Sequence, residues 1–191
     1  MPEITGLLLA AGKSQRFGTQ KLLAEYQGLP IVLHSARALS NCDRVIAIIN
    51  DKDIELQKTL DAAGVETVIN PEADRGMGHS IACGVKASQG SDGWCILPAD
   101  MPHVSMSTVE RVYEALVNGA PIAAPCYQDQ RGHPVGFSQR FAEELQILDG
   151  DIGARTILQR QAQSVLRIVT NDSGILLDID TREDLERALN H

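Results

Sequence analysis

Positive charge is scarce in this chain. Seventeen Lys and Arg stand against 25 Asp and Glu, for a net charge of −8 and a pI near 5.0. A nucleic-acid binder carries a basic footprint that this balance lacks, so no nucleic-acid partner is expected. Long apolar runs are lacking too. No stretch approaches the roughly 18 residues of a membrane span, so no membrane association is expected. The opening MPEITGLLLAAG has no basic segment and only a short apolar run, unlike a secretory leader. The four cysteines, Cys42, Cys83, Cys95 and Cys126, form no C-x-x-C pair, which argues against a structural zinc site. Scattered single cysteines fit a reduced, cytoplasmic protein. Gly (16) and Pro (8) are too few for a low-complexity or collagenous chain. A small anionic substrate is compatible with all of this, because a few Lys and Arg can build a local positive pocket.

What is present reads as one compact unit. The 191 residues suit a single domain spanning 1–191. A chain of this size buries roughly 70% of its unfolded surface without needing a metal or disulfide. Strands are expected at Ile4–Leu9, Val45–Ile49, Val65–Ile69, Trp94–Leu97, Ile122–Ala124, Val165–Val169 and Ile175–Asp178. Helices are expected at Pro30–Leu39, Ile54–Ala63, Ser80–Ala87, a segment opened by a Ser107/Glu110 capping box and running to Val117, Phe141–Leu148, Ala154–Gln161 and Arg182–Leu189. Thr181 and Asp184 form the capping pair of the last helix. Short β-branched runs alternating with helices of about ten residues predict βαβ units. The fold class is therefore α/β: a Rossmann-like three-layer domain with a mostly parallel central sheet. Ligands of such sheets sit beyond the carboxyl ends of the strands, so the chemistry is sought just after each strand.

The first strand leads into Ala10-Ala11-Gly12-Lys13-Ser14-Gln15-Arg16-Phe17-Gly18-Thr19-Gln20-Lys21. Small residues let a ligand approach the backbone, and successive N–H groups in such a turn make an anion-binding concavity. Lys13, Arg16 and Lys21 add three cations in twelve residues of an acidic protein, as a polyphosphate site requires. The loop is neither a Walker A loop nor G-x-G-x-x-G. After the third strand, Pro71, Gly76 and Gly78 shape a loop that ends at Ser80, near a helix start where free N–H groups face outward. Ser80 equally reads as a helix cap.

Asp100 follows the next strand between Pro98 and Pro102. One or two carboxylates plus substrate phosphates is the usual way to bind Mg²⁺, although Asp100 also fits as a cap of the following turn. Gly132-His133-Pro134 and Gly150-Asp151-Ile152-Gly153-Ala154-Arg155 are glycine-rich, with polar groups suited to an anion or a pterin. Asp151 alone is equally a helix N-cap. Asp178 and Asp180 are two apart, so in a strand they would share one face, and Asp180 at the strand-to-helix junction is the favoured partner of Asp100 on a metal.

LLLAAGKSQRFGTQKLL resembles the nucleotidyltransferase signature loop L-A-A-G-x-S-x-R-x-G…K. Over essentially its whole length the chain is similar to the molybdenum cofactor cytidylyltransferase family. The resemblance extends through the G-x-x-x-S element at Gly76–Ser80, L-x-x-D-x-P at Leu97–Pro102, G-H-P at Gly132–Pro134, L-x-G-D-x-G-A-R at Leu148–Arg155 and a D-I-D-T ending at Asp178–Thr181. Arg182 stands where that family usually has Pro.

The resemblance implies a fold of the nucleotide-diphospho-sugar transferase type and a triphosphate wrapped by the first loop. Ala10, Ala11, Gly12, Lys13 and Ser14 would lie at the nucleotide, with Arg16 and Lys21 neutralising the phosphates. Gly76 and Ser80 would contact base and sugar. Asp100, with Asp180, would ligate Mg²⁺, or Mn²⁺ in its place. His133, Pro134, Gly150, Asp151 and Arg155 would line the acceptor side, where charge logic pairs Arg155 with an acceptor phosphate. Arg16, Lys21 and Asp100 would carry catalysis. Related guanylyltransferases carry L-A-G-G, so Ala11 tilts the nucleotide towards CTP.

The expected reaction is transfer of CMP from CTP to the terminal phosphate of molybdopterin, with the product passing to an apo-molybdoenzyme or its chaperone. Two alternatives stay open. One is the same chemistry with GTP, or with a sugar or alditol phosphate acceptor. The other is a nucleotide-binding cofactor carrier without turnover.

Overall fold

The computed structural model describes residues 2–12, 14 and 17–189. Lys13, Gln15 and Arg16, three of the first-loop residues singled out above, lie outside the described residues. The strands are β1 (Ile4–Ala10), β2 (Glu25–Tyr26), β3 (Leu29–Pro30), β4 (Arg44–Asn50), β5 (Glu66–Asn70), β6 (Gly93–Pro98), β7 (Ile122–Tyr127), β8 (Gln130–Arg131), β9 (Val135–Ser138) and β10 (Val165–Val169). The helices are α1 (Ile31–Ala38), α2 (Ile54–Ala62), α3 (Met77–Ala87), α4 (Met106–Val117), α5 (Ala142–Gln146), α6 (Arg155–Arg160) and α7 (Arg182–Leu189).

The main sheet runs in the order β10-β7-β9-β6-β1-β4-β5, with β8 hairpinned onto β7. Every neighbouring pair along this order is parallel except those made by β9, which is antiparallel to both β6 and β7. β1 lies at the centre, in register with β4 through Leu7↔Ile46 and with β6 through Leu7↔Ile96. Alternation along the strands divides the core in two. Leu8, Ala47, Ile49, Cys95 and Leu97 pack with α1, α2, α4 and α7 on one face. Leu7, Ile46, Ile48 and Ile96 pack with α3, α5 and α6 on the other. A sheet covered on both faces needs strands apolar on both sides, and β1 and β6 show the nearly continuous burial this demands. All four cysteines are free thiols.

Several elements differ from the sequence expectation. The helix expected from Ser80 starts at Met77. The helix expected at Phe141–Leu148 is a 3-10 turn, Gln139–Phe141, followed by the short α5. Pro30 precedes α1 rather than opening it, because Pro30 pairs with Glu25 in the β2–β3 hairpin. The cap of α4 is Ser105, not Ser107. The Ser105 hydroxyl accepts from the Thr108 N–H (3.2 Å) and donates to Asp172 Oδ2 (2.8 Å). Asp172 also accepts from the Ser105 N–H, the Thr108 hydroxyl and the Gly174 N–H. Burial alone would raise the Asp172 pKa, but these donors outweigh it and hold the carboxyl below its ordinary value.

The strand expected at Ile175–Asp178 is instead a 3-10 turn, Ser173–Leu176, followed by extended chain. Its polar backbone is taken up by other loops. The His133 N–H donates to the Ile175 carbonyl (3.0 Å), and the Ile179 N–H donates to the Asp100 carbonyl (2.9 Å). The expected cap of α7 is as read: Asp184 Oδ2 accepts from the Thr181 N–H (2.8 Å), and Thr181 Oγ1 accepts from the Asp184 N–H (3.1 Å). Among the described residues no helix is long and apolar enough to cross a membrane.

Candidate functional site

A cleft of about 640 Å³ opens at the carboxyl ends of β1, β5 and β6, where an open α/β sheet places its ligands. Its walls bring together the small-residue stretch Ala11–Gly12, Ser14 and Lys21 from the first loop, Gly76 and Ser80 from the second, and Asp100, Asp151 and Asp180. Ala10 ends β1, fully buried behind this surface. The first loop is organised by its own polar atoms. Ser14, at φ 49°, accepts through its hydroxyl from the Lys21 N–H (3.2 Å) and donates to Gln20 Oε1 (3.0 Å). Lys21 is thereby placed at the start of a short turn with its ammonium directed at the far wall.

The Lys21 ammonium donates to Asp100 Oδ2 at 2.7 Å and to Asp180 Oδ1 at 2.8 Å. Its side chain is only 11% exposed. Burial works against the ammonium's charge, but Asp100 and then Asp180 outweigh it and raise the pKa. Asp178 lies beside the pair. Asp100, Asp178 and Asp180 offer ligand oxygens all within 4.8 Å of one another. Partial burial raises the Asp178 pKa, and the charges of Asp100 and Asp180 push it further up against the pull of its own backbone N–H and of Lys21. Hard oxygen ligands at this spacing suit a divalent cation such as Mg²⁺ or Mn²⁺, and among the described residues of the cluster three carboxylates face one ammonium. Asp178 and Asp180 meet Asp100 even though they are not in a strand, because the Ile179 N–H docks on the Asp100 carbonyl between them.

The second loop is welded to the segment around Asp149–Asp151. The Gly78 N–H donates to the Gly150 carbonyl (2.8 Å), and a Cβ on Gly78 would stand 2.7 Å from the Asp149 carbonyl oxygen. Gly76, at φ 101°, occupies the left-handed region, and a side chain there would strike Asp151 and the Gly150 backbone. Arg75 closes the same seam with a two-pronged pair to Asp149 (3.1 and 2.7 Å). Ser80 is buried and its hydroxyl accepts from Asn70 Nδ2 (3.1 Å), so a wholly buried amide fixes its orientation. Asp151 therefore shares the cleft with the first loop and does not stand on a separate side of the sheet edge.

The other residues expected on the acceptor side lie elsewhere. Gly150 backs the second loop without lining the cleft. Arg155 is exposed at the start of α6 and is not among the cleft-lining residues. Pro134 is buried and joined to His133 by a cis peptide. His133 Nδ1 is buried with no hydrogen-bond partner among the described residues, and burial lowers the His133 pKa, favouring the neutral ring. Arg182 ties α7 to the first loop: Nε donates to the Phe17 carbonyl (3.4 Å) and the guanidinium lies 5.5 Å from the Phe17 ring centre.

Sequence reasoning passed over a second recess, of about 470 Å³, that adjoins the cleft at Gly12, Ser14 and Asp74. Gln20, Asn50, Lys52 and Asp53 line it as well. These side chains mix amide, ammonium and carboxylate groups, so the recess offers both donors and acceptors. Asn50 is the last residue of β4, so the search beyond each strand, applied to β4, would have reached it.

Residues 6–165 match the MobA-like NTP transferase domain. The chain is 33% identical to the purine catabolism protein PucB of Bacillus subtilis over 97% of this chain and 95% of that one. It is 28% identical to a protein named nicotine blue oxidoreductase from Paenarthrobacter nicotinovorans, over 99% of this chain and 98% of that one. It is 23% identical to a probable molybdenum cofactor guanylyltransferase of Bacillus anthracis, over 98% and 96%. Among solved structures, Rv0371c of Mycobacterium tuberculosis superposes with a TM-score of 0.88 at 26% identity, covering 100% of this chain and 98% of that one.

Proposed function

Because the chain belongs to the MobA-like NTP transferase family, and so is a nucleotidyltransferase, we propose that it transfers CMP from CTP to the terminal phosphate of molybdopterin and releases pyrophosphate. The observation that carries the reading is the meeting of Lys21, Asp100, Asp178 and Asp180 under the small-residue loop Ala11–Gly12, with short contacts at 2.7 and 2.8 Å. Asp100, Asp178 and Asp180 would hold a divalent cation, which when bound supplies charge neutralisation on the phosphate oxygens. Lys21, with Arg16, neutralises the departing pyrophosphate. The backbone at Ala11 and Gly12 lets the phosphates approach closely. Ser80 and Gly76 hold the sugar, and the recess at Asn50 and Asp74 reads the base.

An oxygen of the acceptor phosphate forms a bond to the α-phosphorus as the bond to the bridging oxygen breaks. The electron pair leaves with pyrophosphate. No covalent protein intermediate is required, so positioning and electrostatics carry the catalysis. Asp151 on the cleft wall serves the acceptor, and His133 and Arg155 would reach it only from outside the cleft walls. The product would pass to an apo-molybdoenzyme or its chaperone.

Ala11, only 7% exposed at the root of the loop, supports CTP through the L-A-A-G resemblance. Relatives named guanylyltransferases favour a second reading with GTP and otherwise the same chemistry. A four-nucleotide panel separates the two. With molybdopterin as acceptor, CTP is expected to give at least tenfold higher kcat/KM than GTP. Equal or better use of GTP would reverse the base assignment and leave the transfer chemistry standing.

A further inference from the structure

Lys21 occupies a position where a mobile cation would be expected. Its ammonium takes short contacts with Asp100 and Asp180, two of the three carboxylates whose oxygens lie within 4.8 Å of one another. The same side chain belongs to the loop that bears the anion-binding backbone, so it has two competing kinds of partner: carboxylates across the cleft and phosphates within it. A divalent ion held by Asp100 and Asp180 would lie close to that ammonium, and like charges at such range repel strongly in a half-buried site where screening by water is weak. The two cations therefore compete for the same pair of carboxylates.

The conformational freedom for an exchange lies in the Lys21 side chain. The Lys21 backbone is anchored through its N–H to Ser14, while the four-carbon stem alone carries the charge to Asp100 and Asp180. Rotation about that stem moves the ammonium without moving the loop.

We propose that Lys21 is a built-in counter-cation of the free protein, partly offsetting the charge of the Asp100–Asp180 pair until a triphosphate draws the ammonium away and opens the carboxylates to a divalent metal. This rests on the metal assignment of the proposed function. It adds that the lysine keeps the metal out of the empty enzyme and that nucleotide binding lets it in. The two ligands then favour each other through one side chain, as linkage requires.

Mn²⁺ binding to the nucleotide-free protein tests this directly, read from the loss of the free-ion paramagnetic resonance signal. Lys21→Met keeps the length and removes the charge, and should bind Mn²⁺ at least tenfold more tightly than the wild type. Lys21→Arg keeps the charge and should bind as weakly as the wild type. Thermal melts give a second readout: Mn²⁺ should raise the melting temperature of Lys21→Met more than that of the wild type. Mn²⁺ affinity in Lys21→Met equal to or weaker than wild type overturns the proposal. The double variant Lys21→Met/Asp100→Asn should lose the gain. If the gain appears and survives in the double variant, the metal is bound elsewhere, and the failure belongs to the assignment of the carboxylates and not to Lys21.

Discussion

Asp100→Asn is expected to keep the fold and to cut turnover at least a hundredfold. The position is rigid. Asp100 follows β6 and its carbonyl accepts from the Ile179 N–H at 2.9 Å, so the backbone is pinned by a bond the substitution does not touch. Asn has nearly the same shape, and Lys21 keeps its contact with Asp180 at 2.8 Å, so little stability should be lost. What disappears is one negative charge among three carboxylates, and with it a hard anionic ligand for the divalent ion. Two orders of magnitude correspond to about 3 kcal/mol of barrier, a reasonable share for one metal-holding carboxylate. Pyrophosphate release measured at saturating nucleotide, beside a thermal melt of the same preparation, gives the answer. Near-normal turnover in a folded Asp100→Asn protein would remove Asp100 from the reaction.

Gly132→Ala should act through the fold and the site together. A Cβ at Gly132 would run into the carbonyl oxygen of Ile175 and stand 2.7 Å from the Ile175 carbonyl carbon and Cβ. Neither strand of this contact can recede cheaply. The Gly132 N–H is bonded to the Pro125 carbonyl (2.9 Å), the His133 N–H to the Ile175 carbonyl (3.0 Å), and Ile175 is fully buried. Forcing a methyl group into such a seam costs roughly 1–3 kcal/mol. In a protein of this length that lowers the melting temperature by roughly 2–12 °C. The turn Ser173–Leu176 leads straight to Asp178 and Asp180, so its displacement should also lower activity at temperatures well below the melt. A purely acceptor-binding Gly132 predicts the opposite pattern: an unchanged melt with a higher KM for the acceptor.

Much of this arrangement was legible locally. The β-branched run Val165–Val169 is β10 to the residue, and the Thr181–Asp184 pair caps α7 because both partners lie within one turn. Lys21 and Asp100 were readable on the segments that follow β1 and β6, whose parallel carboxyl ends share one edge, and Asp180 was readable at a helix start, but it is the Ile179–Asp100 backbone bond that brings it to them. The failures involve partners distant in sequence. Val135–Ser138 is too short and too glycine-interrupted to announce a strand. Gly136 is there because α4 packs so close that a Cβ would meet Val112 at 2.8 Å. Ile175–Asp178 looks like strand, yet Asp172 caps the turn at Gly174 and His133 claims the Ile175 carbonyl. Ser105 outranks Ser107 as a cap because Asp172 reaches it across 67 residues. Arg155 illustrates a different limit: charge logic assigned it a phosphate, but its place at the exposed start of α6 depends on how the loop before it folds against the second loop.

The central claim is nucleotidyl transfer at the cleft framed by Lys21, Asp100 and Asp180, and one measurement addresses it most directly. The protein is incubated with CTP labelled at the α-phosphorus, molybdopterin and Mg²⁺. The reading predicts that label enters the pterin product in one-to-one ratio with pyrophosphate released, and that both stop when the divalent ion is chelated. Tight CTP binding with neither labelled product nor pyrophosphate would instead mark a carrier without turnover, and a redox reaction such as the name of one relative suggests would likewise yield no pyrophosphate. Either of those results would contradict it.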